Sequence, residues 1–478
     1  MDREAPALVN WDGSVVQHPA AIAYPRNVDD LVAIMRDPQS YPSPIRAIGS
    51  NHSATFCTVC DGGTAVSMQH FDRILAIHDD TVTVEAGALY IDVAQELRRH
   101  GKQFHVNLEI GCLSVGTAAC GGTKDSSMAG ELGQVCSYAI AMKLVAPTGE
   151  RLEIDEDQPE LLRAARSSYG LLGIVYEVTF RVRPVKPMRV ETITYTLEQF
   201  ERSLPDIRAR GDSMFMYLFP FNRELNVEFR SYGEGPAPAA AGWRWGVRNY
   251  FWASVLPYVG YVASRYIGWK RLRYFAIDAI NRFIIFLMRI IMKAESTSAA
   301  DQMIRFPPRG GRTKYSFSLW AFPEQQFPQM VRDYFDFCAA YYREHGYRCN
   351  MLNVGYRIAQ DDSSLFSYSY DGIVMTVDPV STGDPGWQDF LRAYNQFCSE
   401  RGGRPLFNQT RWLTPAQVRR AFGDKLDRFN VLRRRYDPDD RLLNDYFASF
   451  FPPSAPRTSV RAASDPDVAA GAPADLGD

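Results

Sequence analysis

The segment IGCLSVGTAACGGTKDSSMAGELGQ, residues 110 to 134, constrains this fold more than any other stretch. It is rich in Gly, Ser and Ala and carries neither the period of a helix nor that of a strand. Glycine removes the Cβ, which lets backbone come close to something flat or anionic and leaves N–H groups turned outward. A loose surface loop would have little use for Leu113, Val115 and Met128, which ask for burial. The flanks are regular. Upstream, TAVSM, ILAI and TVTVEAG read as short strands with a turn at Asp79 and Asp80, and YIDVAQELRRHG reads as an amphipathic helix stopped by Gly101. Downstream, YAIAMKLVAPTGE is a strand into a turn, and LLRAARSSYGLLGIVYEVTFRVRPV is a helix, a glycine-punctuated turn and a buried strand.

A chain of 478 residues, 46% hydrophobic and 23% charged, is long enough for two or three domains with substantial cores. A net charge of -2 and a pI near 6.4 argue against a general nucleic-acid binder. Eight scattered cysteines in apolar context read as free thiols of a reducing compartment. Cys57-x-x-Cys60 has no second pair to complete a metal site, so no metal is expected. The opening MDREAPALVNWDGSVVQHPA has no apolar run of signal-peptide length, which points to a cytoplasmic protein. From residue 454 onward the chain is Pro, Ala, Ser, Asp and Gly, the composition of a disordered tail.

Near residue 186 the pattern shifts to longer strands and amphipathic helices. Within this region, residues 243–293 set nine basic residues against one acidic residue, Asp278, among many aromatics. Arg265, Arg282 and Arg289 break the apolar runs before they reach the length of a membrane span. Such basic, aromatic helices suit a membrane surface, where arginines meet phosphates and rings sit at headgroup depth. A helical hairpin packed on the second domain or in a subunit interface is the alternative.

Four motifs in order, RAIGSNHS, TVTVEAGALYIDVAQEL, LSVGTAACGGT and LLRAARSSYGLLGIVYEVTFRVRP, resemble the FAD-binding domain of the vanillyl-alcohol oxidase superfamily. Three further stretches resemble its aldonolactone oxidase branch. AINRFIIFLMRIIMK is similar to a membrane-associated segment, ERGGRP to a glycine-rich approach to the active site, and YDPDDRLLNDYF to a C-terminal signature. The resemblance implies an α+β fold with a PCMH-type FAD-binding domain of two small α/β subdomains over residues 1–185. An α+β cap with an antiparallel sheet follows over 186–405, with the 243–293 insert inside it, and 406–453 returns to the flavin site.

The resemblance also implies FAD, with His52 matching the histidine bonded to the flavin 8α-methyl. An unlinked His52 packed on the dimethylbenzene ring is the alternative. Gly49, Ser50, Asn51 and Ser53 would complete the turn that offers amides to the pyrophosphate, a segment without a lysine of its own. Relatives have Gly where Asn51 stands, and Asn tolerates positive φ. Ser114, Val115, Gly116, Gly122 and Thr123 would line the pyrophosphate and ribityl side. Gly170, Gly173, Ile174 and Val175 would lie near the adenine or isoalloxazine edge, and Asn444 would fix the returning loop. Cys112 stands where some relatives carry a second, thioether link; a buried free thiol is the favoured reading.

The chain departs from that branch where substrate would sit. After GGRP, relatives have a histidine- and lysine-containing cluster; here the residues are Leu406, Phe407, Asn408, Gln409 and Thr410. Asn353 and Gly355 stand where the branch has an acidic and a basic residue, leaving Arg357 as the nearest cation, and Lys124 replaces a histidine. Each hydrogen bond lost to a sugar lactone costs about 1–3 kcal/mol, so a more apolar substrate is expected. Lys124 and Arg357 are the candidate cations, Tyr368 and Tyr370 the acid/base groups, and Gln409 and Asn353 the orienting groups. The leading expectation is an FAD-dependent oxidase or dehydrogenase that takes a hydride from an alcohol-bearing or activated carbon of a largely apolar small molecule to flavin N5. Electrons would pass to O2 or another acceptor. A flavin-dependent C=C reductase, an oxidative cyclase and a catalytically depleted flavoprotein scaffold stay open as alternatives.

Overall fold

The structure, a computed structural model, describes residues 6–237, 243–291, 296–299, 301, 303–306 and 314–454. The tail expected from residue 454 therefore lies, beyond Ser454, outside the described residues, as do residues 292 and 293 of the insert. The fold is α+β. Strands Ala21–Ala23, Thr64–Ser67 and Ile45–Ile48 form a three-stranded parallel sheet with Thr64–Ser67 in the middle. Beside it, an antiparallel sheet runs in the order Arg151–Asp155, Ala139–Val145, Ile174–Pro184, Thr81–Glu85 and Ile74–Ile77, with Lys102–Phe104 on the far end of Ile174–Pro184. The glycine-rich segment lies against these layers and contains one short helix, Val115–Cys120, which its composition does not announce.

The second half is built on an eight-stranded antiparallel sheet. Its strand Ser213–Phe219, sequence SMFMYLF, is buried at every position, as a strand covered on both faces must be. Met214, Met216 and Leu218 join the core formed with Phe200 of helix Leu197–Arg210 and with Met330 and Tyr334 of helix Phe327–His345. Phe215, Tyr217 and Phe219 face the other way and pack with Trp252, Leu256, Ile284 and Ile285 of the insert.

The insert is a set of helices, Trp243–Tyr250, Leu256–Tyr266 and Lys270–Ile291, the first two joined by a π-helical turn, Phe251–Val255. Pro257 has no N–H for the carbonyl four residues back, a gap that a local widening of the helix absorbs. One face of the insert is thus spent on the cap sheet. The other carries Leu272, Phe275, Phe283, Phe286 and Ile290, all exposed, at the spacing of one helix stripe. Among the described residues, no helix is long and apolar enough to cross a membrane.

Charge locks the insert to both halves. Arg248 donates through Nε to Glu228 at 2.9 Å and through Nη2 to Glu109 at 3.0 Å. Arg230 reaches Glu109 at 2.7 Å, Glu228 at 2.9 Å and Asp125 at 3.3 Å. Glu228 and Arg230 lie on a cap strand, whereas Glu109 and Asp125 lie on loops of the first half. Burial works against the Glu109 carboxylate, but Arg248 and Arg230 outweigh it and hold its pKa down at about 2. Removing one cation strands buried carboxylates. In thermal or urea unfolding, Arg248→Met is expected to cost about 3–5 kcal/mol, against less than about 0.5 kcal/mol for Arg282→Ala on the exposed side. Equal, small losses would show that the cluster does not hold the insert in place.

Candidate active site

Strand Ile45–Ile48 ends its parallel sheet at a cleft, and the chain leaves it through Gly49–Ser53. Clefts at the carboxyl ends of parallel strands are where ligands meet open α/β sheets. A Cβ on Gly49 would fall on the Ser114 hydroxyl, so that loop meets the glycine-rich segment only as a glycine, and one on Gly116 would come within 2.9 Å of Ala86, so helix Val115–Cys120 packs there only with a glycine. Asn51 takes φ 56°, the left-handed region expected of it. Its Nδ2 donates to Val9 O at 3.0 Å and its carbonyl accepts from Trp11 N at 2.8 Å. Among the described residues, no hydrogen bond engages the backbone N–H groups of Ser50, Asn51, His52 and Ser53.

The cleft is partly open, and its walls come from the first half of the chain and from Asn408 of the second. Gly49, Ser50, Asn51, His52, Ser53, Ser114, Gly116, Gly170, Gly173 and Val175 all line it, on segments far apart in sequence. Arg46 also lines it, held by Leu442 O at 2.9 Å and by Tyr169 O, with its Nε buried and without a partner. Uncommitted amides, an orphaned guanidinium N–H and glycines that leave no room for a side chain together fit a pyrophosphate-bearing cofactor.

His52, Ser53, Leu113, Thr117 and Asn408 also border a second cavity. One wall is aromatic, made by Trp11, Phe306, Tyr315, Phe317 and Tyr356. The polar side has Lys124, Thr123, Gln409 and Asn408, with Glu109 reaching in from the ion cluster. Asn408 Oδ1 and Gln409 Oε1 are buried without a partner. Lys124 is buried, sits 4.0 Å over the Tyr356 ring and donates to Asp378 Oδ2 at 3.3 Å. Burial pushes Asp378 up to about 6, against the pull of Lys124, and burial lowers Lys124 against the pull of Asp378. Both shifts run toward the neutral forms, because one contact at 3.3 Å returns less than two buried charges lose.

His52 stacks on Trp11, with centroids 5.1 Å apart, and its Nε2 lies 3.3 Å from Cys112 Sγ. Burial lowers its pKa to about 4, so the imidazole is neutral at neutral pH. Cys112 lines neither cavity and stands behind His52.

Other residues singled out from the sequence are placed elsewhere. Val115 and Ile174 are core, and Gly122 packs under Leu406 and Tyr368. Tyr368 is fully buried and donates to Gly122 O at 3.2 Å. Tyr370 carries Arg404 and Lys425 over its ring, away from both cavities. Arg357 pairs with Glu324 at 2.7 Å, and Asn353 donates to Tyr334 Oη at 2.9 Å. Asn444 caps helix Asp445–Ala448 and donates to Phe56 O and Val59 O, tying the end of the chain to the loop after His52. Cys57 and Cys60 are buried thiols with separate partners, Ser53 and Gln17. Trp11, Arg46 and Asp378 were not read from the sequence; a carboxylate inside the apolar run VMTVDPV was the one available signal for Asp378.

Residues 19–155 match the family model of an FAD-binding domain, and residues 178–450 match that of D-arabinono-1,4-lactone oxidase. L-gulono-1,4-lactone dehydrogenase of Mycobacterium tuberculosis is 23% identical over 447 residues, covering 92% of this chain and 98% of that protein. L-gulonolactone oxidase of Bos taurus is 22% identical over 452 residues, covering 92% and 97%. Among solved structures, cholesterol oxidase from Brevibacterium sterolicum superposes with a TM-score of 0.73 at 14% identity, over 93% of this chain and 96% of that one, a likeness of fold. The two matched segments meet at the paired cavities around His52, and the chain belongs to the D-arabinono-1,4-lactone oxidase family of FAD-dependent oxidoreductases.

Proposed function

We propose that this oxidoreductase takes a hydride from the CH–OH carbon of a small molecule with a largely apolar body, while resting on an anionic lipid surface. Residues 1–185 hold the cofactor, 186–405 form the substrate cap, and 406–453 close the site through Asn408 and Gln409. The observation that carries the reading is the second cavity: beside His52, an aromatic wall faces Lys124 and two unpaired amide oxygens. FAD, when bound, supplies the hydride acceptor at N5.

The amides of residues 50–53 would hold its pyrophosphate, and His52 is the residue that would carry its 8α carbon. Trp11, Phe306, Tyr315 and Phe317 bind the apolar body and exclude water. Asn408 Oδ1 and Gln409 Oε1 accept from substrate hydroxyls, and their burial without partners makes that contact worth about 1–3 kcal/mol. As the hydride leaves, the hydroxyl proton passes to Lys124 Nζ, which hands one of its own to Asp378. The names of the relatives favour a second reading, an aldonolactone substrate, and the polar side of the cavity supports it.

Anaerobic bleaching of the bound flavin separates the two. An apolar secondary alcohol is expected to bleach it at least about tenfold more efficiently than L-gulono-1,4-lactone, the value of roughly one hydrogen bond. A reversed preference would establish the lactone instead. In the same preparations, acid precipitation is expected to leave flavin in the pellet of the native protein and in the supernatant of His52→Ala. Flavin released by both would remove the covalent bond from the account.

For the lipid surface, the support is the exposed stripe on helix Lys270–Ile291, with Phe275 70% and Phe286 56% exposed, beside the exposed cations Lys270, Arg271 and Arg282. Deleting the whole insert would also remove Arg248 from the core. The sharper test is Phe275→Ser with Phe286→Ser. Native protein is expected to sediment with phosphatidylserine vesicles and less with phosphatidylcholine, and the double variant with neither. Sedimentation unchanged in the variant would overturn the docking surface.

A further inference from the structure

His52 is held from two sides and open on the third. Trp11 stacks on its ring, Cys112 Sγ sits 3.3 Å from Nε2, and Nδ1 has no partner among the described residues and is not sealed off from the cavities that His52 lines. A neutral imidazole carries a single ring proton, and the hydrogen bond at one nitrogen decides which nitrogen keeps its lone pair. Burial raises the Cys112 pKa, so the residue is a thiol, and its sulfur already accepts from Phe306 N–H at 3.4 Å. With that N–H accepted, the sulfur keeps a second lone pair able to accept Nε2–H across the 3.3 Å contact.

We propose that Cys112 is a positioning residue for flavin attachment: its sulfur accepts Nε2–H of His52 and so leaves the Nδ1 lone pair facing the 8α carbon. This rests on the covalent bond put forward above and gives Cys112 a role other than a second link. In the step, Nδ1 bonds to the 8α carbon in place of one methyl hydrogen. That hydrogen and the imidazole N–H leave as protons that stay with the ring system, and the electron pair of the broken C–H bond reduces it. Dioxygen then takes both electrons and both protons, giving one hydrogen peroxide per bond formed. Once Nε2 has lost its proton, the thiol can turn and donate to it, since a thiol both accepts and donates.

A serine keeps that pair of abilities and an alanine has neither. Full-length protein prepared without flavin is mixed with FAD in air, and the flavin that stays with acid-precipitated protein is followed over time together with peroxide. Native protein and Cys112→Ser are expected to gain covalent flavin with one peroxide per bond. Cys112→Ala is expected to bind FAD but to attach it at least about tenfold more slowly, the scale on which outer partners act through a histidine in metal sites. Attachment by Cys112→Ala at the native rate overturns the proposal while leaving the covalent bond standing. Native protein that never attaches flavin overturns the bond itself and the proposal with it. Nitrogen shifts of labelled histidine in the flavin-free native protein give a second reading that needs no variant: the Nε2–H tautomer at His52 is expected, and the Nδ1–H tautomer would contradict the proposal.

Discussion

The buried ion cluster of Arg230, Arg248, Glu109, Glu228 and Asp125 is the interaction on which the rest of the structure depends. It joins a cap strand, the first insert helix and two loops of the first half, four segments with no local reason to meet. Two guanidiniums serve three carboxyls, and burial lifts Asp125 to about 6, so the cluster holds one carboxyl that is easily protonated. Such a group is costly to bury and more costly to break, which gives the docking of the two halves a single geometry. Glu109 extends that geometry into the second cavity, one wall of which is therefore set by the same contacts that seat the insert.

From this follows the division of labour around His52. The first cleft is lined by residues of the first half, many of them glycines and small side chains, with Asn408 from the second half, and the second cavity is walled by aromatics from across the chain. The two share His52, Ser53, Leu113, Thr117 and Asn408, so a cofactor and a substrate bound to them would touch without a loop having to close. Asn444 bonds the C-terminal segment to Phe56 and Val59, and Ser53 Oγ donates to Asn408 O at 3.1 Å.

Much of the lining of the first cleft was legible in the sequence because each motif in it is local: a glycine under Ser114, an asparagine at positive φ, a histidine at a strand end. The substrate side was legible only in part. Strand Asn353–Ile358 shows why. Asn353 and Arg357 were chosen from it as site candidates, but side chains alternate between faces, and Phe215 pairs with Tyr356 and Tyr217 with Val354. Tyr356 borders the cavity and Val354 packs on the same face, whereas Asn353 and Arg357 turn to the helices and bond Tyr334 and Glu324. Nothing in one strand states which face is which; the partner strand decides it. Lys124 was found as a cation, but its acid, Asp378, stands 254 residues away, a pairing that only the folded sheet creates. The insert was read as a membrane surface or an internal hairpin. It packs its inner face on the cap sheet and leaves an apolar outer stripe exposed, so one helix set satisfies the observation behind each reading.

The central claim is that chemistry occurs beside the Lys124–Asp378 pair, and the pH dependence of anaerobic flavin reduction by substrate tests it most directly. Asp378 is held up at about 6 in the fold, so as pH falls through that value the carboxylate takes a proton and can no longer accept one from Lys124. The account predicts a rate that is full above that region and falls below it, and an Asp378→Asn protein that is slow throughout with its flavin still bound. A rate that is level through that range in the native protein, or an Asp378→Asn protein that reduces its flavin at the native rate, would contradict it.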